Sequence, residues 1–174
     1  RKPDRDISDA IEFERKKDGL FYMSFTRVKS MPVVVVLKAL GIVKDEEIMR
    51  TISTDKTYEE VLFNLYEFVE IKTQEDAVDY ISKRVGIAQA KEIRMERTKE
   101  LLDKYLLPNI GMESADEKAK AKTLGKMLKK FIDVSNGVRA EDDKDHYMNK
   151  RIRMSGDLLL DLFRVNFKVL VGDI

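Results

Sequence analysis

The sequence predicts a mainly helical domain that begins with a β-hairpin, an α+β fold class with several helices packed together. Three observations support this prediction: an Asp-Gly turn between two apolar-aromatic runs, apolar residues at a helical period from residue 58 onward, and Pro, Gly or capping residues at the helix ends. The chain has 174 residues, 43% of them hydrophobic, so it is long enough to bury a core. We expect a flexible segment at residues 1–10 and one domain over residues 11–174.

The N-terminal part, residues 11–28, has the pattern of a hairpin. The runs IEFER and LFYMSFTRV flank Lys17, Asp18 and Gly19, and Asp-Gly favours tight hairpin turns.

The next segment, MPVVVVLKALG, contains signals both for a strand and for a helix. Four consecutive Val favour a strand, whereas Pro32 suits the first position of a helix and Gly41 suits its C-terminal cap. We predict a buried helix, with one apolar face made of Val33, Val36, Leu37 and Leu40.

Five further helices are predicted from the rest of the chain. Their boundary signals are two capping boxes, a Thr cap, a Pro stop and a Ser-Asn-Gly stop, at residues 57–60, 114–117, 73, 108 and 135–137. The last helix begins near Arg151 and runs towards Val171, with an apolar face made of Leu159, Leu162, Phe163, Phe167 and Leu170.

Charge is segregated along the chain although the net charge is only +1. Residues 59–79 contain seven acids and one basic residue, Lys72. Residues 118–130 contain six lysines and no acid: Lys118, Lys120, Lys122, Lys126, Lys129 and Lys130. Such a lysine run is usually a solvated helix face, and a surface that faces a polyanion is the alternative.

The residue inventory predicts no catalysis by this chain alone. It has no Cys and one His, which excludes disulfides, thiolate nucleophiles and Cys-based zinc sites. No Gly-rich phosphate loop and no nucleophile-elbow motif occurs. No apolar run reaches the length of a membrane span, so we expect a cytoplasmic protein without a membrane partner. We also expect that the chain has no cofactor of its own.

One cluster of polar residues lies at residues 142–153. Its first part offers possible metal ligands: Asp142, Asp143, Asp145 and His146. Its second part, NKRIR, adds Asn149 and three cations, Lys150, Arg151 and Arg153. Three interpretations stay open here: a divalent-metal site of a hydrolase, a structural loop, or a recognition surface. In the third, Lys and Arg pair with phosphate or guanine while Asp accepts from amino groups.

Three segments resemble one known family. They are DDKDHYMNKRIRMSGDLLLDLFR, which includes this cluster, EFERKKDGLFYMSFTRVKSMPVVVVLKALG near the N-terminus, and LDKYLLPNIG followed by KTLGKMLKKF in the middle. Together they are similar to the lobe (external 1) domain of the second-largest subunit of multi-subunit DNA-directed RNA polymerases, and most similar to the archaeal form of that subunit.

The resemblance implies a part in transcription within a nucleotidyltransferase complex whose catalytic aspartates and magnesium belong to another subunit. It implies that the chain helps to form a wall of the DNA cleft near downstream DNA. Carried over by position, Asp143, Asp145, Lys150 and Arg151 lie near DNA with help from Arg153. His146 and Asn149 hold the loop in shape. Lys150 is a point charge where bacterial relatives have Arg, which weakens the expectation of base readout there.

The resemblance also implies the partners. They are the other RNA polymerase subunits, downstream DNA and general transcription factors, in a nucleoid-associated archaeal enzyme. The alternative is a docking module for transcription factors or other polymerase subunits that makes little direct contact with DNA.

Overall fold

The computed structural model describes residues 10–26, 28–53, 58–111, 116–143, 145–148 and 154–172. The described elements are β1 Ile11–Arg15, β2 Phe21–Phe25, β3 Val28–Pro32, α1 Val33–Ala39, α2 Asp45–Ile52, α3 Glu59–Glu67, α4 Gln74–Val85, α5 Lys91–Tyr105, α6 Glu117–Ser135 and α7 Ser155–Gly172. The predicted fold class, mainly α with an N-terminal β-hairpin, is confirmed.

The chain divides into two compact units, Arg1–Arg139 and Ala140–Ile174. The second unit contains α7. The single domain predicted over residues 11–174 stays a prediction, and the predicted flexible segment lies almost entirely outside the described residues. No helix in the described part of the chain is long and apolar enough to cross a membrane.

The predicted hairpin forms the first two strands of a three-stranded antiparallel sheet in the order β1-β2-β3. Gly19 takes φ 80°, and its N–H donates to the Lys16 carbonyl over 3.0 Å. The Asp18 carboxylate accepts from the Leu20 N–H over 3.0 Å, which closes the turn. The sequence interpretation missed β3. Its residues VKSMP lack a clean alternation, and Ser30 takes the positive φ of 51° that strand residues rarely adopt.

The segment MPVVVVLKALG contains the predicted buried helix, because all seven residues of α1 are buried. Pro32 lies one position earlier than predicted: it is the last residue of β3 and the N-cap of α1, with an extended ψ of 129°. At the other end Gly41 takes φ 86°. The Gly41 N–H donates to the Lys38 carbonyl over 3.1 Å, and the Ile42 N–H donates to the Leu37 carbonyl over 3.2 Å. This is a Schellman cap.

Lys38 places an ammonium group inside the core, with 2% of the residue exposed. Its Nζ donates to the Phe68 carbonyl over 3.0 Å and to the Ile71 carbonyl over 2.9 Å. The Asp45 carboxylate lies 3.7 Å away. Phe68 is the C-cap of α3, and Ile71 lies in the loop that leads to α4. The buried ammonium group therefore finds its acceptors at the end of α3 and in the loop that follows it.

Lys120 does the same at the end of α5. Its Nζ donates to the Asp103 carbonyl over 2.8 Å and to the Leu102 carbonyl over 3.4 Å. Burial lowers the pKa of Lys120, and the nearby Asp103 carboxylate opposes that shift. The interpretation of residues 118–130 as one solvated face is therefore wrong for Lys120, which has no exposed surface. A basic residue in a charged run can turn inward when it meets carbonyls that need a donor.

The other helices of the first unit follow their boundary signals with some differences. Thr73 caps α4 as predicted, since its Oγ1 accepts from the Asp76 N–H over 3.1 Å. Residues Thr57 and Ser114 of the two predicted capping boxes lie outside the described residues, and the helices that follow begin at Glu59 and Glu117. The sequence interpretation missed α2, which has only two buried residues, Ile48 and Ile52.

The second unit has its helix where the pattern predicts one, although α7 begins at Ser155. The predicted start near Arg151 lies outside the described residues. None of the residues of α7 is buried, and the predicted apolar face is exposed: Leu159, Leu162, Phe163, Phe167 and Leu170.

Helices α2 and α6 approach closely at Gly125. A Cβ atom at this position would lie 2.6 Å from the carbonyl oxygen of Thr51 and 2.8 Å from its Cγ2. Backbone cannot move away as a flexible side chain can, so only glycine fits between these two helices.

We predict that Gly125→Ala lowers the free energy of unfolding by about 1–3 kcal/mol, because overpacking outweighs the roughly 1 kcal/mol by which helices favour Ala over Gly. Gly156→Ala in α7 is the matched control, since no atom lies within 4 Å of its Cβ position. It should leave stability unchanged or raise it slightly. Urea denaturation measures both, and a Gly125→Ala chain as stable as the unsubstituted one would contradict this close approach.

Tyr58 links the start of α3 to the end of α6. Its hydroxyl donates to Oδ1 of Asp133 over 2.8 Å. Burial first, and then the bond to Asp133, raise the pKa of Tyr58 from its ordinary value near 10 to about 12. The fold therefore favours the neutral phenol. This contribution to stability is complete below pH 10 and is lost as the pH rises towards 12.

We expect Tyr58→Phe to be less stable than the unsubstituted chain at neutral pH by about 1 kcal/mol, the usual net value of one hydrogen bond. Between pH 10 and 12 the unsubstituted chain should lose stability more steeply than the variant. Tyr66→Phe is the control, since Tyr66 is 79% exposed. Chemical denaturation across this pH range is the measurement, and parallel curves for Tyr58→Phe would count against the buried phenol.

Candidate nucleic-acid interface

The polar cluster begins with a turn built on Asp143. Its Oδ1 accepts from the Asp145 N–H over 2.8 Å, and its carbonyl accepts from the His146 N–H over 3.2 Å. An Asp side chain that bonds backbone two residues further on forms an Asx turn, which local sequence is enough to produce. These two hydrogen bonds tie the backbone of Asp145 and His146 to Asp143.

His146 is bonded within the same loop. Its Nδ1 accepts from the Met148 N–H over 3.2 Å. A ring nitrogen that accepts a hydrogen bond carries no proton, so the proton of the neutral ring lies on Nε2. This contact is of the kind that a loop-structuring residue makes, and the role itself stays a prediction.

The structure brings together only part of the predicted site. Asp143, Asp145 and His146 lie next to one another on the exposed loop. The other predicted residues lie outside the described ones: Asn149, Lys150, Arg151 and Arg153. The sequence interpretation assigned no role to Tyr147, which is 83% exposed beside them. An exposed aromatic ring next to a run of cations is a signal for nucleic-acid contact, since every base has a face on which such a ring can stack.

The metal-site interpretation finds no support in this geometry. Among the described residues, no group of three or more His, Cys, Asp or Glu side chains is placed to hold a metal ion. Asp143 uses an oxygen to bond backbone, and His146 uses Nδ1 in the same way. In both side chains an atom that could bind a metal ion accepts a hydrogen bond from the loop backbone instead.

A second exposed surface lies on α3 and on the turn that follows it. Four large apolar residues of this surface have about half or more of their area exposed: Leu62 47%, Phe63 53%, Tyr66 79% and Val69 50%. The exposed acids Glu59, Glu67 and Glu70 lie among them. An apolar patch with a polar rim is typical of a surface that binds another protein.

Comparison with known protein families matches residues 3–153 to the family RNA polymerase Rpb2, domain 2. The match includes the sheet, helices α1 to α6 and the whole polar loop. The chain belongs to this family. Helix α7 begins two residues after the matched range ends.

The chain is also similar to named RNA polymerase subunits. DNA-directed RNA polymerase subunit Rpo2 of Saccharolobus solfataricus is 42% identical over 166 residues, which is 94% of this chain and 15% of that subunit. Subunit Rpo2N of Methanococcus vannielii is 46% identical over 166 residues, or 92% of this chain and 33% of that subunit. Subunit Rpo2N of Methanocaldococcus jannaschii is 41% identical over 165 residues, with the same coverage.

These comparisons confirm the resemblance to the lobe region of the second-largest subunit of archaeal RNA polymerase. The chain spans 15% of Rpo2 and 33% of Rpo2N, the two kinds of relative that it matches.

We predict that His146→Gln loosens the loop and leaves the rest of the fold intact. The amide of Met148 should exchange with solvent several-fold faster by NMR, since its acceptor is lost, while melting should change little. Tyr147→Gln is the control in the same loop and should leave that exchange rate unchanged. Unchanged exchange at Met148 in the His146 variant would refute a loop-structuring role.

Proposed function

We propose that this chain is a non-catalytic lobe of the second-largest RNA polymerase subunit and forms part of the wall of the DNA cleft near downstream DNA. The observation that carries the proposal is the polar cluster at residues 142–153, whose described residues, 142, 143 and 145–148, are exposed. It lies inside the range matched to Rpb2 domain 2, and its Asp143 turn leads directly into a run of three cations.

The loop supports this role through its order and its charge. The bonds from Asp143 and His146 constrain the backbone up to Met148, one residue before the segment NKRIR. Lys150, Arg151 and Arg153 supply donors for phosphate oxygens or base edges. Asp143 and Asp145 can accept from amino groups of bases, and they also offset part of the positive charge. We therefore propose weak DNA contact by the isolated chain and a stronger effect within the assembled enzyme.

The inventory of side chains supports the proposed non-catalytic role. The sequence has no Cys and one His, and that His accepts a backbone hydrogen bond through Nδ1. In this proposal nucleotide addition and its magnesium belong to another subunit, and this chain supplies a surface. The assembly works in the cytoplasm with the nucleoid.

A second candidate function is docking of transcription factors or of other polymerase subunits. The apolar and acidic face of α3 favours it, because Tyr66 and Phe63 are large side chains of the kind that dominate protein interfaces. In that case the critical residues lie on α3 and the loop makes little contact with DNA.

We predict that Lys150→Glu combined with Arg151→Glu shortens the lifetime of open promoter complexes in the reconstituted polymerase. The loss should be roughly tenfold at about 50 mM salt and smaller at about 200 mM, because phosphate contacts weaken as salt rises. The charge-matched control is Lys72→Glu with Lys99→Glu, two exposed lysines outside the loop. It should leave the lifetime nearly unchanged.

The opposing explanation is that Arg151 is an internal strut paired with a loop aspartate. In that case Arg151→Ala lowers the melting temperature of the chain by several degrees and leaves the open-complex lifetime unchanged. That pair of results would decide against the DNA contact.

A further inference from the structure

Helix α6 carries a stripe of lysines on one side. The stripe consists of five residues, four of them exposed and Lys129 half-buried: Lys118, Lys122, Lys126, Lys129 and Lys130. At about 100° and 1.5 Å per residue, they cover an arc of about 120° and a length of about 18 Å. The opposite side of α6 is in the core and includes Ala121, Leu124, Leu128 and Ile132. Since Lys120 turns inward, the stripe is what remains outside.

The positive charge of the stripe is not neutralised locally. No acid occurs between Lys118 and Ile132, and within the described residues no ion pair joins a carboxylate to the five lysines. The acids that flank the stripe have other partners. Glu117 accepts from Nε2 of Gln74 over 3.2 Å, and Asp133 accepts from the Tyr58 hydroxyl over 2.8 Å.

The chemistry of the stripe indicates what kind of partner fits. No large hydrophobic residue of α6 is exposed, whereas a protein interface usually has an apolar or aromatic centre. Lysine is a mobile point charge that pairs with phosphate oxygens without demanding one geometry. A length of about 18 Å spans about five phosphate steps of one strand of a duplex. These features match a nucleic-acid backbone better than an acidic protein.

We propose that the lysine stripe of α6 binds the phosphate backbone of duplex nucleic acid without reading its sequence. The stripe shares no residue with the polar cluster at residues 142–153, which the proposed function uses. The inference therefore goes beyond that function and would stand if the loop made no contact with DNA.

The test compares two triple variants of the chain by fluorescence anisotropy with a labelled DNA duplex over a range of salt concentrations. Lys122→Gln, Lys126→Gln and Lys130→Gln remove part of the stripe. Lys72→Gln, Lys91→Gln and Lys99→Gln remove the same charge from exposed positions elsewhere. We expect the stripe variant to raise Kd roughly tenfold or more at about 50 mM salt. The stripe variant should also make the slope of the logarithm of the association constant against the logarithm of the salt concentration shallower by about 2–3. Circular dichroism checks that both variants fold.

Four results would overturn the proposal. They are no measurable binding by the unsubstituted chain, equal losses in both triple variants, no loss in the stripe variant, and competition by polyglutamate as strong as by unlabelled DNA. The last would indicate an acidic protein partner. A further variant, with Lys150→Gln and Arg151→Gln, separates the two surfaces: binding lost only there would overturn the stripe and leave the proposed function standing.

Discussion

The burial of helix α1 constrains the whole first unit. All seven residues of α1 are buried, so the single charge on it, Lys38, must find its partners inside the protein. A buried ammonium is strongly unfavourable unless acceptors surround it. The carbonyls of Phe68, at the end of α3, and of Ile71, in the loop that leads to α4, meet this need. Placing α1 in the core therefore requires the chain between α3 and α4 to pass beside Lys38.

The same arrangement at Lys120 explains how the basic surface arises. Lys120 reaches the carbonyls near the end of α5, while its neighbours on α6 remain outside. One run of lysines thus separates into a structural residue and an exposed stripe. Gly125, on the buried side of the same helix, lets α2 lie against α6. A contact in the core and a charged surface are consequences of the same packing.

The exposed surfaces indicate a chain that works through contact with others. The loop around Asp143 has internal order and charged residues, whereas α3 exposes large apolar residues among acids. Helix α7 in the second unit has no buried residue, although most of its residues are apolar. The chain belongs to the RNA polymerase Rpb2 domain 2 family and spans 15% of the length of its Saccharolobus solfataricus relative, Rpo2.

The sequence by itself determined the features that depend on a few adjacent residues. The turn at Asp18 and Gly19, the Gly41 cap, the Thr73 cap and the family resemblance were all readable, because each depends on local backbone chemistry or on a continuous motif. Tertiary structure alone decided that Lys38 and Lys120 turn inward. It also decided that β3 and α2 form and that Gly125 is a point of close approach. These outcomes depend on which carbonyls and backbones lie opposite a residue, and segments far apart in the chain supply them. The DNA-facing role of the loop could be predicted only from the resemblance, because the groups that would contact it belong to other molecules.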